Sequence, residues 1–148
     1  MEKSLVLSVS AGVGCYRHIQ INQNETLERL SETILYAFDF DDGHLHSFFM
    51  NNQAWDEDNE YMSRGLDFDI HTIEDKYLDG ALGFTDDVKL SEFNLNKGYK
   101  FLYIYDYGDD WRFHIRVLRV VNDATETPVV LKSVGKLSQY VYYESDED

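Results

Sequence analysis

Apolar positions along this chain alternate with a period of two in several short runs and recur with the period of a helix in one. In "SLVLSVSAGVGCYRHIQI" the pattern predicts two strands, Leu5 to Val9 and Tyr16 to Ile21, joined by a turn through Gly12 and Gly14. In the next stretch, "NQNETLERLSETILYAFDF", Leu27, Leu30, Ile34, Leu35 and Phe38 fall on one helical stripe. Thr26 or Asn24 can cap its start, Glu25 and Glu28 suit the positive end of the helix dipole, and the helix should end near Phe38. A strand is expected from Leu45 to about Met50, followed by a turn at Asn51-Asn52.

Periodicity then lapses. Residues 56–87 carry scattered acids and aromatics with no sustained period. A connection of that length inside a compact domain is functional or is an insertion. Tyr61, Leu66, Phe68, Ile70 and Ile73 suggest that part of it packs down, with a short strand around 66–70. "VKLSEFNL" reads as a short strand or turn element. After the hairpin described next, the chain ends in a last strand or short helix and then an acidic tail over 141–148.

The stretch "YIYDYGDDWRFHI" predicts a hairpin between Tyr99 and Val121. A two-residue Gly108-Asp109 turn of type II′ would pair Ile104 with Phe113 and Tyr103 with His114. The core face would then be Leu102, Ile104, Phe113 and Ile115. A three-residue loop shifts the partners by one and sets Tyr105 opposite Trp111. The first register is preferred, because it leaves fewer charges facing core aromatics.

Composition sets the class. The chain has 148 residues, 43% of them hydrophobic, which suits one globular domain over 1–140. One cysteine, Cys15, rules out an internal disulfide framework and fits a reducing compartment. The apolar run at the N-terminus is too short for a signal or a membrane span, so a cytoplasmic location is expected. Thirteen Lys and Arg against 28 Asp and Glu give a net charge of −15. That balance argues against nucleic acid, although Arg112, Arg116 and Arg119 lie close together, and it suits cation binding or a basic protein partner.

Two polar constellations carry candidate chemistry. In "DFDDGHLHSF", His44 and His46 at i, i+2 share a strand face, with Asp39, Asp41 and Asp42 just before them. Such a donor set suits zinc or another divalent metal, and equally an ordinary turn into a strand. In the hairpin, Asp106 and Asp109 flank the turn beside Trp111, where Asp and Gly are also what turns need. There is no HExxH, CxxC pair, Walker loop or GxSxG, and "GVG" at 12–14 lacks the rest of a phosphate-binding fingerprint.

Taken together, the helix, "DDGHLHSF" and "FLYIYDYGDDW" resemble the plasmid pRiA4b Orf-three-like family of small bacterial and archaeal proteins. The residues that match its two motifs are Asp42, His44, Leu45, His46 and Phe48, then Phe101, Tyr103, Tyr105, Asp106, Gly108, Asp109 and Trp111. Pro128 and Gly135 match the Pro and Gly that follow the hairpin, and the resemblance spans residues 4–137. Phe40 stands where the family usually has Trp, and Phe113 where many members carry His. The resemblance implies an α+β fold, a curved, mainly antiparallel sheet packed against one main helix. It implies little about activity. Some members travel with mobile elements under a resolvase-like label, which neither a serine nucleophile nor the charge supports here.

Three expectations follow. In the first, the chain is a binding or interaction module for a protein or small-molecule ligand. Its site would be Asp42, His44, His46, Tyr105, Asp106, Asp109 and Trp111, where the His strand meets the hairpin turn. In the second, His44, His46 and Asp106 hold a divalent metal with Asp109 as base, in a hydrolase or nucleic-acid-processing accessory. In the third, the same residues form a buried polar network that only holds the fold.

Overall fold

The computed structural model describes residues 3–64 and 82–139. Eight strands form one open sheet: β1 (Ser4–Ser10), β2 (Tyr16–Asn22), β3 (His46–Phe49), β4 (Glu60–Met62), β5 (Gly83–Phe84), β6 (Lys100–Tyr105), β7 (Trp111–Val121) and β8 (Val129–Val134). Their spatial order is β5-β4-β3-β6-β7-β1-β2-β8. Every pairing is antiparallel except that of β4 with β5. Among the described residues one α-helix, α1 (Leu27–Ala37), covers one face, and no helix is long and apolar enough to cross a membrane. The architecture is α+β with a single main helix.

The helix forms where the stripe predicts. The Thr26 hydroxyl accepts from the Arg29 amide at 3.1 Å, and Phe38 closes the last turn onto the Ile34 carbonyl. Leu27, Leu30, Ile34 and Leu35 are buried, in one core with Leu7, Ile19, Phe101, Tyr103 and Phe113. Removing each such side chain from water contributes roughly 1.5–3 kcal/mol before chain entropy is charged against it.

The hairpin adopts the other register. Tyr105 faces Trp111, Ile104 faces Arg112 and Tyr103 faces Phe113. The connection runs through residues 106–110, and its left-handed positions are Asp106 (φ 61°) and Asp110 (φ 55°), not Gly108. The Asp110 amide donates to the Asp106 carbonyl at 2.6 Å, and the Asp106 amide donates to Leu45 at 2.8 Å. The predicted core face is therefore wrong for β6. Phe101, Tyr103 and Tyr105 point toward the helix, while Leu102 and Ile104 join Phe49 in a smaller cluster on the opposite face. Tyrosines can take the buried side because their hydroxyls find partners there, described below.

The ends of the irregular stretch build one edge of the sheet, as a 3₁₀ turn (Glu57–Asn59), β4 and β5. The strand expected around 66–70 lies outside the described residues. "VKLSEFNL" contributes a 3₁₀ turn (Leu90–Glu92) and a bridge from Lys89 to Thr26. The final segment resolves as a strand, β8, not a helix. Gly135 after it has φ +80°, and a Cβ there would lie 2.3 Å from the Gly14 carbonyl oxygen.

Candidate functional site

The loop 41–44, between α1 and β3, is set by two side chains that reach it from far along the chain. The Tyr105 hydroxyl accepts from the amides of Gly43 (2.9 Å) and His44 (3.2 Å) and donates to the Asp41 carbonyl (2.5 Å). Gln139 grips the same residue from the other side, accepting from the Asp41 amide at 2.6 Å and donating to its carbonyl at 3.1 Å. A core tyrosine thus positions the backbone that carries Asp42 and His44.

His46 is buried, and burial lowers its pKa from 6.5 to about 3, so it is neutral. Its partners fix the tautomer. Thr85 donates to the Glu28 carboxylate at 2.9 Å, so at 3.0 Å it accepts from His46 Nε2–H. Nδ1 then accepts from Ser31 at 3.3 Å, and Ser31 accepts from the buried Tyr103 phenol at 2.6 Å. A single chain of hydrogen bonds runs from Tyr103 through Ser31, His46 and Thr85 to Glu28. The direct approach of His46 Nε2 to Glu28, 3.6 Å, is not an ion pair, because the imidazole is neutral.

Outside this chain lies a cleft of ≈ 270 Å³, lined by Glu28, Asp42, His44, His46, Arg64 and Asp86 among others. Burial, with the negative charge of nearby acids, raises the pKa of both Glu28 and Asp42. The lining cation, Arg64, is already committed: it forks onto Asp86 at 3.0 Å, reaches Asp87 at 2.7 Å and stacks over Phe84 at 4.2 Å. The cleft therefore holds carboxylates whose charge is incompletely offset.

Of the residues expected at the site, Asp42, His44 and His46 line this cleft. Tyr105 supports it, and Asp106 approaches His44 at 3.6 Å from the hairpin turn. Asp106 mainly organises that turn, its carboxylate accepting from the Asp109 amide at 3.4 Å. The Asp109 side chain is exposed and does not line the cleft. Trp111 packs edge-on against Phe40 at 5.0 Å, so the Phe at the family's Trp position makes an aromatic pair. The three proposed metal ligands do not converge, since His46 spends both ring nitrogens on hydroxyls while His44 turns toward Asp106. Among the described residues no group of three or more His, Cys, Asp or Glu side chains is placed to hold a metal ion.

Sequence reasoning missed Glu28, Ser31, Thr85 and Arg64. Ser31 left a signal, a polar residue on the apolar stripe four positions after Leu27. Thr85 and Arg64 left none, because they come from the two ends of the aperiodic stretch.

The family profile of the plasmid pRiA4b ORF-3-like protein matches residues 9–139. The chain belongs to this family. Among solved structures, the protein of unknown function MM3350 from Methanosarcina mazei Go1 is similar in fold to this chain. It is similar at 27% identity and a TM-score of 0.65, over 90% of this chain and 70% of that one. No functionally curated protein matches significantly.

Proposed function

We propose that this chain is a cytoplasmic, non-enzymatic binding module, and that the Glu28–Asp42–His44 cleft receives a cationic group from a basic protein segment. The observation that supports this reading most is the pair of raised-pKa carboxylates facing a cleft whose own arginine is tied to Asp86 and Asp87. An incoming ammonium or guanidinium would offset that charge and donate hydrogen bonds to the carboxylates. The backbone at residues 43 and 44 is held rigid by Tyr105, so little ordering cost falls on binding. An association with mobile elements belongs to the same proposal and is supported by the family's setting alone.

Calorimetric titration with N-acetyl-arginine amide tests it. Saturable binding that weakens at least about tenfold in Asp42→Asn and in Glu28→Gln is the expected result, a loss of about 1.4 kcal/mol or more. Binding should strengthen as pH rises through the raised carboxylate pKa values, since the ligand needs them ionised. No heat of binding, or equal binding by both variants, would refute the cleft as the site. The alternative, a metal-assisted hydrolase, is favoured only by the His44–Asp106 approach. About one metal per chain in untagged protein, lost in His44→Ala, would replace the binding reading with that one.

A further inference from the structure

We propose that the helix-free face of the sheet binds single-stranded nucleic acid. The register sets the argument. Across five neighbouring strands Lys132, His18, Ser8, Arg116 and Lys100 stand directly opposite one another, from β8 through β2, β1 and β7 to β6. Residues paired across antiparallel strands share a face, so these five side chains form one row. At about 4.8 Å per strand the row spans roughly 19 Å. Arg119 joins it from the adjacent row, opposite Val6, and His114 from the row on the other side, opposite Ser10.

Lys100, Arg116, Arg119 and Lys132 are all exposed. Among the described residues none of the four has a carboxylate within ion-pair distance; the arginines that do are Arg29, Arg64 and Arg112. Arg112, which the sequence groups with Arg116 and Arg119, is instead forked onto Asp110. Burial, with the positive charges of Lys132, Arg119 and Arg116, lowers the pKa of His18. Ser8, Ser10, Asn52, Lys100, His114 and Arg116 surround a depression of ≈ 360 Å³ on this face.

The net charge of −15 is an average over the whole surface, on which the carboxylates of the cleft lie on the helix side and this row on the other. A polyanion is the complement of the row. Two features favour a nucleic acid strand over an acidic peptide. The ring of His18 within the row and that of Tyr16 next to it, 5.2 Å apart and half exposed, offer surfaces on which bases stack. The row also crosses the sheet where β2, β1, β7 and β6 already have neighbours on both sides, so a peptide cannot add there as a strand. Stacking needs unpaired bases, which favours a single strand over a duplex.

The proposal stands apart from the cleft reading, and its test uses the whole chain with fluorescein-labelled oligo(dT) of about 20 nucleotides, read by anisotropy. Binding at about 50 mM salt is expected, with log K falling against log salt at a slope near −3, since four cations each contribute about 0.7. Arg116→Glu with Lys132→Glu should weaken binding at least about tenfold, and the milder Lys100→Ala with Arg119→Ala should reduce the slope by about half. Tyr16→Leu should weaken binding with the slope unchanged, a signature that loss of charge does not give. Thermal unfolding of each variant confirms that the sheet is intact. No binding at that salt, affinity indifferent to both charge variants, equal or tighter binding of the duplex, or ready displacement of the strand by oligoglutamate would each overturn the proposal.

Discussion

Tyr105 shows how far a single side chain can be committed in both directions. Its ring is fully buried in the main core, and its hydroxyl serves three backbone groups of the loop that carries Asp42 and His44. Tyr105→Phe keeps the ring and removes only the oxygen. We expect a loss of about 1–3 kcal/mol in urea denaturation, since two amides and a carbonyl lose a buried partner. The same variant should weaken ligand binding at the cleft while leaving the helix-free face untouched. His46 is the complementary case, a histidine that sequence spacing offers as a metal ligand and whose surroundings make it structural. The i, i+2 spacing of His44 and His46 was legible; the hydroxyls that occupy His46 were not, because Thr85 and Ser31 come from other parts of the chain.

At the level of elements, the helix, β1, β2 and β3 lie close to where periodicity predicts them, because each buries its own apolar stripe. The hairpin was legible as a hairpin but not in register. Both faces of β6 are apolar, so alternation alone does not say which one meets the helix. Turn chemistry decides it, with aspartates rather than Gly108 taking the left-handed positions. A contact that no local pattern announces joins three elements: the guanidinium of the buried Arg17 donates to Ala37 at the end of α1, to Val134 in β8 and to Gly135, at 2.8–3.0 Å, over the Phe38 ring. The carbonyls at a helix C-terminus are a favourable place for a cation that, among the described residues, has no carboxylate in ion-pair contact. Arg17→Met should therefore cost more than a lost surface arginine, about 2–4 kcal/mol, by leaving several carbonyls unpaired. Hydrogen exchange in the variant should show β8 and the last turn of α1 opening together.

Over the whole molecule, the basic row and the acidic cleft lie on different faces, and the buried titratable groups give the fold a pH signature. His46 titrates at 6.5 when unfolded and near 3 when folded, so the fold favours its neutral form. The stability this contributes is present above pH 6.5 and is lost as pH falls from 6.5 toward 3, on the order of 5 kcal/mol at full extent. The raised carboxylates Glu28, Asp42 and Glu60 work in the opposite sense, their contribution declining as pH rises through their folded pKa values. Urea midpoints measured at pH 7, 5 and 4 should fall steadily in the native chain and much less in His46→Gln, which lacks the buried imidazole. Net charge, which the sequence gives directly, conceals this arrangement, because it records how many charges there are and not which face each one occupies.

The central claim is that the two motif histidines have different tasks, His46 holding the fold and His44 meeting the ligand. The most direct test is the nitrogen-15 spectrum of the histidine side chains, with and without N-acetyl-arginine amide, from pH 7 down to pH 5. The account predicts that His46 remains the neutral Nε2–H tautomer throughout and ignores the ligand, while the His44 signals shift on its addition. A His46 that protonates near pH 6.5, or a His44 indifferent to the ligand while His46 responds, would contradict it.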